Sequence, residues 1–358
     1  MGILRQLSGQ LFNVSVCSII GCGTVAAQST PSEFAELSFQ ALLDTEIDEG
    51  LSGKSSMRRW SVAVQFKAVE FDGYRQNETD LPLKAVLYTG GDTPRTNRNF
   101  PIVPTVINQY AQIVQLGYQY ADNVKLALQL PLIKQTTDHI STVPGYNEFE
   151  IASQGMGDMV ITAGYMLNDS ASARVWLNAG VSLPTGSIDE AGDTPRAPGD
   201  QQLPYTMQLG SGTYDFPLEL SYQTKGQHSI ALALSAMLRT GANDRHYRLG
   251  NNYELSAKYS YRASPRITVF GGAELSHADA IHGQDNDIVL DAPFPYPASI
   301  TNPALYGGQK ITVMAGLTYK ALDWLNISLD GGKPLYQNLN GPQPKEVWRT
   351  SLQLSASF

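Results

Sequence analysis

The hydrophobic and polar positions at the end of the chain alternate with a period of two. From Trp348 onwards the apolar row is Trp348, Leu352, Leu354, Ala356 and Phe358, and the polar row is Arg349, Ser351, Gln353 and Ser355. Successive side chains of a β-strand point to opposite faces, so one row would meet lipid and the other a polar interior. A final aromatic residue is typical of the closing strand of an outer-membrane β-barrel. The pattern therefore predicts a protein that crosses a membrane with strands.

The same alternation recurs and predicts twelve strands in an all-β, transmembrane, antiparallel up-and-down barrel. They span Trp60 to Phe71, Val114 to Tyr120, Val124 to Leu132, Met159 to Leu167, Arg174 to Leu183, Phe216 to Tyr222, Ile230 to Leu238, Tyr253 to Tyr261, Ile267 to Leu275, Ile311 to Tyr319, Leu325 to Leu329 and Val347 to Phe358. Short turns such as Asp122-Asn123 are typical of β-hairpins. Tight turns at one rim and long loops at the other predict periplasmic turns and external loops.

Long loops are expected over residues 72–104, 134–155, 184–204, 240–251, 277–307 and 332–345. Two belts of aromatic residues are predicted at the rims of the barrel. Tyr118, Tyr120, Tyr165, Tyr222, Tyr259, Tyr261, Tyr319, Trp324 and Phe358 belong to the turn side, and Tyr205, Tyr253 and Trp348 to the loop side. Aromatic residues favour membrane interfaces, so the belts mark the two edges of an apolar band.

One strand departs from the alternation. Met207 and Leu209 have a parity that Phe216 and Leu218 do not share, and Gly210 and Gly212 lie between the two pairs. A β-bulge shifts the outward face by one residue and is the simplest explanation. We therefore expect a bulged strand here.

The amino-terminal region predicts export. Residues 1–27 read as a cleaved signal peptide, with Arg5 before an apolar core and Val25-Ala26-Ala27 at the cleavage site. Cleavage there leaves Gln28 first and removes both cysteines, whereas the alternative lipoprotein box at Ile19 to Cys22 would leave an acylated Cys22. Residues 28–56 read as a periplasmic leader whose short helix has either no role or that of a plug, and residues 57–358 read as the barrel.

Composition narrows the function classes. Without the signal, 24 Lys and Arg face 33 Asp and Glu, a net charge of −9, which argues against a nucleic-acid surface. No apolar run behind the signal reaches the roughly 18 to 20 residues that a spanning helix needs. The chain has 18 Tyr and 32 Gly, and only 16% of its residues are charged, as a sheet between lipid and water requires.

Three glycine-rich phrases resemble one family of outer-membrane proteins. They are Gly155-Met156-Gly157-Asp158, Leu183-Pro184-Thr185-Gly186-Ser187 and the run from Leu209 to Asp215. In this order they resemble the family named putative MetA-pathway of phenol degradation, over residues 114–358. The resemblance implies uptake of aromatic or otherwise hydrophobic solutes across the outer membrane. It carries over no site residue, because the phrases lie at strand ends and suit sharp turns or close backbone contacts.

Catalytic and metal chemistry find little support in the residue pattern. Ser276 and His277 are the nearest approach to a nucleophile and base, but adjacent strand residues point to opposite faces. A loop carrying His277, Asp279, His282, Asp285, Asp287 and Asp291 offers ligand types for a divalent cation without a recognised spacing. An acidic, solvated loop is the expectation there, and no enzyme activity or cofactor is predicted.

The interior positions carry the functional prediction. Parity places twelve candidate lumen-lining residues inward: Lys67, Lys125, Arg174, Trp176, Glu219, Glu254, Lys258, Phe270, Glu274, Lys310, Asp330 and Arg349. Six cations facing four anions describe either a water-lined path or a closed salt-bridged network. Trp176 and Phe270 are candidates for stacking a flat solute, with packing against the leader or an infolded loop as the alternative.

The sequence thus predicts a porin-like channel or facilitator for small solutes in the outer membrane of a Gram-negative cell. The alternatives are a structural or surface-recognition barrel with a closed lumen and, behind it, an outer-membrane enzyme. The expected partners are outer-membrane lipid and lipopolysaccharide, the barrel-assembly machinery through Phe358, and an unidentified solute.

Overall fold

The structure is a computed structural model that describes residues 59–358, so the predicted signal and leader lie outside the described residues. Its seventeen β-elements are β1 (Trp60–Asn77), β2 (Thr79–Leu81), β3 (Ile102–Ala121), β4 (Val124–Ser141), β5 (Glu148–Met156), β6 (Met159–Asp169), β7 (Ala173–Leu183), β8 (Ala191–Thr194), β9 (Ala197–Gln202), β10 (Asp215–Thr224), β11 (His228–Arg239), β12 (Tyr247–Arg248), β13 (Asn252–Ser264), β14 (Ile267–Ala278), β15 (His282–Gly283), β16 (Gly308–Leu322) and β17 (Leu325–Ser357).

Short helices occupy the connections between these strands. One α-helical turn, α1, spans Leu83–Val86, and 3-10 turns span Tyr205–Met207, Asn286–Ile288, Ser299–Thr301 and Pro303–Leu305. Within residues 59–358, no helix is both long enough and apolar enough to span a membrane.

Antiparallel pairing closes the strands into a barrel. Its order is β1, β3, β4, β6, β7, β10, β11, β13, β14, β16 and β17, and β17 pairs with β1 to complete the ring. The last element is a hairpin, because the amide of Ser357 donates to the carbonyl of Trp324 at 3.1 Å and joins its two ends. With the two arms of β17 counted separately, the described chain contributes twelve strands to the wall. The predicted transmembrane barrel is confirmed.

Polar and apolar residues are distributed as in an inverted globular protein. The inner surface buries Gln65, Gln115, Gln129, Asn178 and Ser355. The outer surface exposes a band of leucines that includes Leu116, Leu126, Leu177, Leu220, Leu234, Leu255, Leu275, Leu317 and Leu329. Such a large exposed apolar surface is unfavourable in water and favourable in a bilayer.

The strands extend beyond the predicted limits on one side of the barrel. Residues 134–155 and 332–345 were expected to be loops, but they are mostly strand in β4, β5 and β17, so this expectation was wrong. Gln135, Thr137 and His139 continue the inward row of β4. This taller wall supports segments that fold into the barrel.

The predicted bulged strand around Met207 was also wrong. Residues 203–213, here called the inner segment, leave the wall, and the strand begins only at Asp215. Tyr205, Met207 and Leu209 are buried, so Tyr205 does not belong to the predicted lipid-facing belt. Their apolar side chains contact the inside of the barrel rather than lipid.

Candidate functional site: the barrel interior

The inner segment is held against the inside of the tall wall by hydrogen bonds. Gln135 Nε2 donates to the carbonyl of Gln208 at 3.3 Å, and Ser153 Oγ donates to the carbonyl of Met207 at 2.7 Å. Gln109 donates from Nε2 to Gln135 and to the carbonyl of Thr206. Backbone groups that leave a sheet need such partners when they are buried. The segment therefore occupies a defined place in the lumen.

Glycines and one carboxylate fix the base of the inner segment. Asp158 accepts hydrogen bonds from the amides of Gly186 (2.9 Å) and Ser211 (2.7 Å) and from Ser211 Oγ (2.7 Å). A β-carbon on Gly210 would lie 2.5 Å from the carbonyl oxygen of Gly186, which only glycine avoids. The phrases that carry the family resemblance thus meet at one point, where the chain turns into the lumen.

A second group of residues folds over the same space. Residues 279–307, here called the cap segment, carry three 3-10 turns, and Tyr306 Oη donates to the carbonyl of Ile300 at 2.7 Å. The ring of Tyr306 contacts Tyr205 of the inner segment edge-on, with the ring centres 5.7 Å apart. On the wall, Tyr74 Oη lies 3.3 Å from Ser299 Oγ. The two segments and the wall form one packed assembly.

A cavity of about 130 Å³ lies between the two segments and the wall. Most of its side-chain surface is apolar, from Phe71, Ile107, Tyr205, Leu249, Ile281, Ile300, Leu305, Tyr306 and Leu339. Polar groups at its boundary come from Gln109, Asn252, Ser276, Lys310, Gln337 and others. Ligand sites are typically apolar hollows with a few polar groups of this kind.

Charged groups lie next to the cavity, and Glu346 is their centre. Arg349 donates to both carboxylate oxygens of Glu346, at 2.6 and 2.7 Å, and lies 3.4 Å from Glu274. Lys310 Nζ lies 3.1 Å from Glu346. We call these four side chains the Glu346 cluster. Bidentate Arg-carboxylate pairs of this type are among the stronger polar interactions in proteins.

The structure places all twelve candidate residues at inward positions of the sheet register. Lys67, Glu219, Glu254, Glu274 and Arg349 are buried, and the other seven are partly buried. Lys67 interacts electrostatically with Asp330, Arg349, Glu254 and Glu274. On the opposite wall, Asn178 donates to Glu219 at 3.2 Å. Five of the candidates therefore form one electrostatic group around Lys67.

Arg174, Trp176 and Phe270 have close partners of their own. Arg174 lies near the turn rim, with its Nε 3.5 Å from Asp169. Lysine ammonium groups lie over the two aromatic rings: Lys125 is 4.4 Å from the centre of Trp176, and Lys258 is 5.2 Å from the centre of Phe270.

Sequence reasoning missed four interior charges: Asp158, Asp215, Arg239 and Glu346. Asp215 and Arg239 form a buried ion pair beside the inner segment. A register shift between Glu70 and Phe71 reverses the parity of β17 and turns Glu346 inward. Arg239 adds one cation to the predicted six, and Asp158, Asp215 and Glu346 add three anions to the predicted four. The inward residues then comprise seven cations and seven anions. The predicted excess of cations therefore disappears.

The loop considered for a metal ion makes ion pairs instead. Arg245 lies 2.8 Å from Asp189, 3.4 Å from Asp285 and 2.9 Å from Asp287. It therefore links its own loop to two other loops. Within residues 59–358, no group of three or more His, Cys, Asp or Glu side chains is arranged to hold a metal. Ser276 faces the cavity, whereas His277 is exposed beside Asp279, so the pair does not form a nucleophile and base.

Comparison with solved structures supports the fold. The COG4313 outer membrane channel from Pseudomonas putida F1 is similar over 87% of this chain and 100% of its own, with 15% identity and a TM-score of 0.56. Two other structures are less similar. The TodX monoaromatic hydrocarbon channel deltaS2 mutant has 10% identity and a TM-score of 0.46, over 85% of this chain and 91% of its own. The KdgM porin has 10% identity and a TM-score of 0.38, over 83% of this chain and 99% of its own.

Sequence comparisons assign the chain to no family. No family model matches the chain, and no curated protein matches it. The resemblance to the phenol-degradation family therefore stays a prediction. The likeness to the COG4313 channel shows that the chain has the fold of an outer-membrane β-barrel.

Proposed function

We propose that the chain is a passive outer-membrane channel for small solutes, with a preference for aromatic or otherwise hydrophobic ones. The observation that carries this proposal is the apolar cavity inside the barrel, next to the Glu346 cluster. A barrel that served only as a structural element would gain from a filled interior, because packed side chains contribute more than an empty hollow.

The interior supports a path for uncharged or weakly charged solutes. Opposite charges are balanced among the inward residues, so the wall has no strong preference for one sign of ion. The apolar side chains that line the cavity offer favourable contacts to a solute that has left water. The solute would enter from the loop rim, pass the cavity and continue along the charged wall to the turn rim.

Two likenesses agree with the proposal. The fold is shared with a protein described as an outer membrane channel. The family resemblance of the glycine-rich phrases implies uptake of aromatic solutes. The same phrases shape the point at which the inner segment enters the barrel, and that segment contributes Tyr205 and Thr206 to the cavity lining.

The alternative is a recognition barrel with a closed lumen. The observation that favours it is the amount of chain inside the barrel, since the inner and cap segments contact each other and the wall. Under this alternative, Arg245 and its three aspartates hold the loops as a fixed external surface.

Single-channel recording in planar bilayers separates the two functions. The mature protein is compared with a variant in which Lys258→Gln and Glu254→Gln remove two inward charges together. Lys333→Gln is the matched control, because Lys333 is exposed on the outer side of β17. A channel gives discrete current steps whose size or ion selectivity changes only in the double variant. Silence from verified folded and inserted barrels would favour the closed lumen.

A further inference from the structure

We infer that the cavity binds small apolar molecules that carry a carboxylate, such as aromatic carboxylates, with the acid group at Lys310. This inference deepens the proposed function and rests on it, because it names the class of solute that a channel would select. Three features of the described residues carry it: the position of Lys310, the hydrogen bonds that Glu346 accepts from Arg349, and the apolar surface opposite.

Lys310 presents its ammonium group at the charged side of the cavity. In the sheet register it lies between Ser276 and Gln337, and all three residues line the cavity. Its Nζ is 5.8 Å from the centre of the Phe71 ring, which is part of the apolar lining. The side chain keeps 15% of its surface exposed, whereas the Glu346 side chain has none. A ligand in the cavity can therefore contact the Lys310 side chain, whereas the Glu346 carboxylate behind it is out of reach.

The hydrogen bonds of Glu346 allow a second carboxylate to approach Lys310. Arg349 already satisfies Glu346 with two short hydrogen bonds, and Lys310 is a second cation on the same group. A ligand carboxylate can approach Lys310 while Glu346 keeps its bidentate partner, so no buried acid loses all of its pairing. The other acid at the cavity, Asp279, is engaged by Asn251 at 3.2 Å and by His277 at 3.3 Å.

The apolar part of the cavity fits one ring. A cavity of about 150 Å³ lined by Leu, Ile and Phe is known to bind benzene, and this one holds about 130 Å³. Phe71, Ile107, Ile281, Ile300 and Leu305 supply a comparable lining. A molecule with a ring at one end and a carboxylate at the other would contact both parts of the site, whereas a hydrocarbon would contact only the apolar part.

Equilibrium dialysis at pH 7 against labelled benzoate, benzylamine and benzyl alcohol tests the inference on the refolded protein in detergent. Lys310→Met removes the charge and retains the length of the side chain. Lys320→Met is its matched control, because Lys320 lies on the same strand near the turn rim, 3.3 Å from Asp323. Ala278→Phe fills the cavity without changing charge, since Ala278 is part of the lining. Heat modifiability on gels verifies that each variant is folded.

We expect saturable benzoate binding that weakens at least tenfold in Lys310→Met and stays unchanged in Lys320→Met. Benzyl alcohol should be affected by Ala278→Phe and not by Lys310→Met. The inference is overturned if folded wild-type protein binds no benzoate, if Lys310→Met binds it normally, or if benzylamine binds as well as benzoate. Ion current from the same preparation keeps the two proposals apart: current without benzoate binding overturns only the inference, and absence of current overturns the channel.

Discussion

The ammonium group of Lys125 lies over the indole ring of Trp176, 4.4 Å from its centre. A cation over an aromatic face is a favourable electrostatic contact, so that face of the ring is already in use. Phe270 has the same relationship to Lys258. The aromatic residues that parity selects as stacking sites are therefore parts of lysine-aromatic pairs, and the apolar cavity lies elsewhere in the barrel.

Replacement of Trp176 should accordingly have little effect on an aromatic solute. We expect Trp176→Leu to change the concentration of benzyl alcohol that blocks the ion current by less than twofold. Phe71→Ala, which removes a ring from the cavity wall, should raise that concentration at least fivefold because apolar contact is lost. Loss of the block in Trp176→Leu alone would place the solute site at Lys125 and Trp176.

Removal of the Asp158 carboxylate should loosen the inner segment. Asp158 accepts three hydrogen bonds from Gly186 and Ser211, and bonds to a charged group contribute about 1.5–3 kcal/mol each. We expect Asp158→Ala to increase single-channel conductance at least twofold, because the segment no longer keeps its place in the lumen. Asp200→Ala, on the exposed β8–β9 hairpin, is the control. Unchanged conductance in folded Asp158→Ala would show that the segment does not restrict the path.

Glu346→Gln should destabilise the barrel. The substitution removes the shared carboxylate of two cations inside the wall, and loss of one partner from a buried ion pair costs roughly 3–5 kcal/mol. The expected result is a lower urea midpoint for unfolding from lipid vesicles. Glu70→Gln, on the outer side of β1, should leave the midpoint unchanged. Equal midpoints for wild type and Glu346→Gln would mean that water in the lumen replaces the ion pair.

Three tyrosines, two on the infolded segments and one on β12, should ionise only at high pH. Burial raises the pKa of Tyr205, Tyr247 and Tyr306 above the ordinary value of about 10. Because the folded-state pKa is the higher one, their contribution to stability is complete below about pH 10 and is lost as the pH rises through the folded-state pKa.

Absorbance at 295 nm, recorded against pH, measures this ionisation. In wild type, part of the absorbance change should occur only at high pH, as a late phase, and this phase should become smaller in Tyr205→Phe. Tyr120 is exposed on the outer surface, so Tyr120→Phe should leave the late phase intact. A late phase of equal size in Tyr205→Phe would show that this phenol is accessible to solvent.

The alternation of the sequence was sufficient for the wall of the barrel. Within a strand, lipid on one side and a polar interior on the other select side chains at every second position, so parity gave the twelve crossings and the inward rows. The same rule failed for the inner segment. Leu203, Tyr205, Met207 and Leu209 alternate like a lipid-facing row, because hydropathy does not distinguish contact with lipid from contact with another part of the protein.

The interior charges show a second limit of sequence reasoning. A parity prediction holds only up to the next irregularity, and the register shift beside Phe71 reversed it at Glu346. The residue at the centre of the charged cluster was missed for that reason. The cavity was not predictable either, since it arises between residues far apart in the chain, such as Phe71 and Tyr306, that meet only after the segments have folded inward.

The central claim is that solutes pass through the lumen by way of the cavity, and the current through Ala278→Phe in planar bilayers tests it most directly. Filling the cavity should reduce the single-channel conductance of a folded, inserted barrel at least fivefold relative to wild type. A variant that conducts like wild type would show that the path bypasses the cavity. A wild-type barrel that does not conduct at all would contradict the claim entirely.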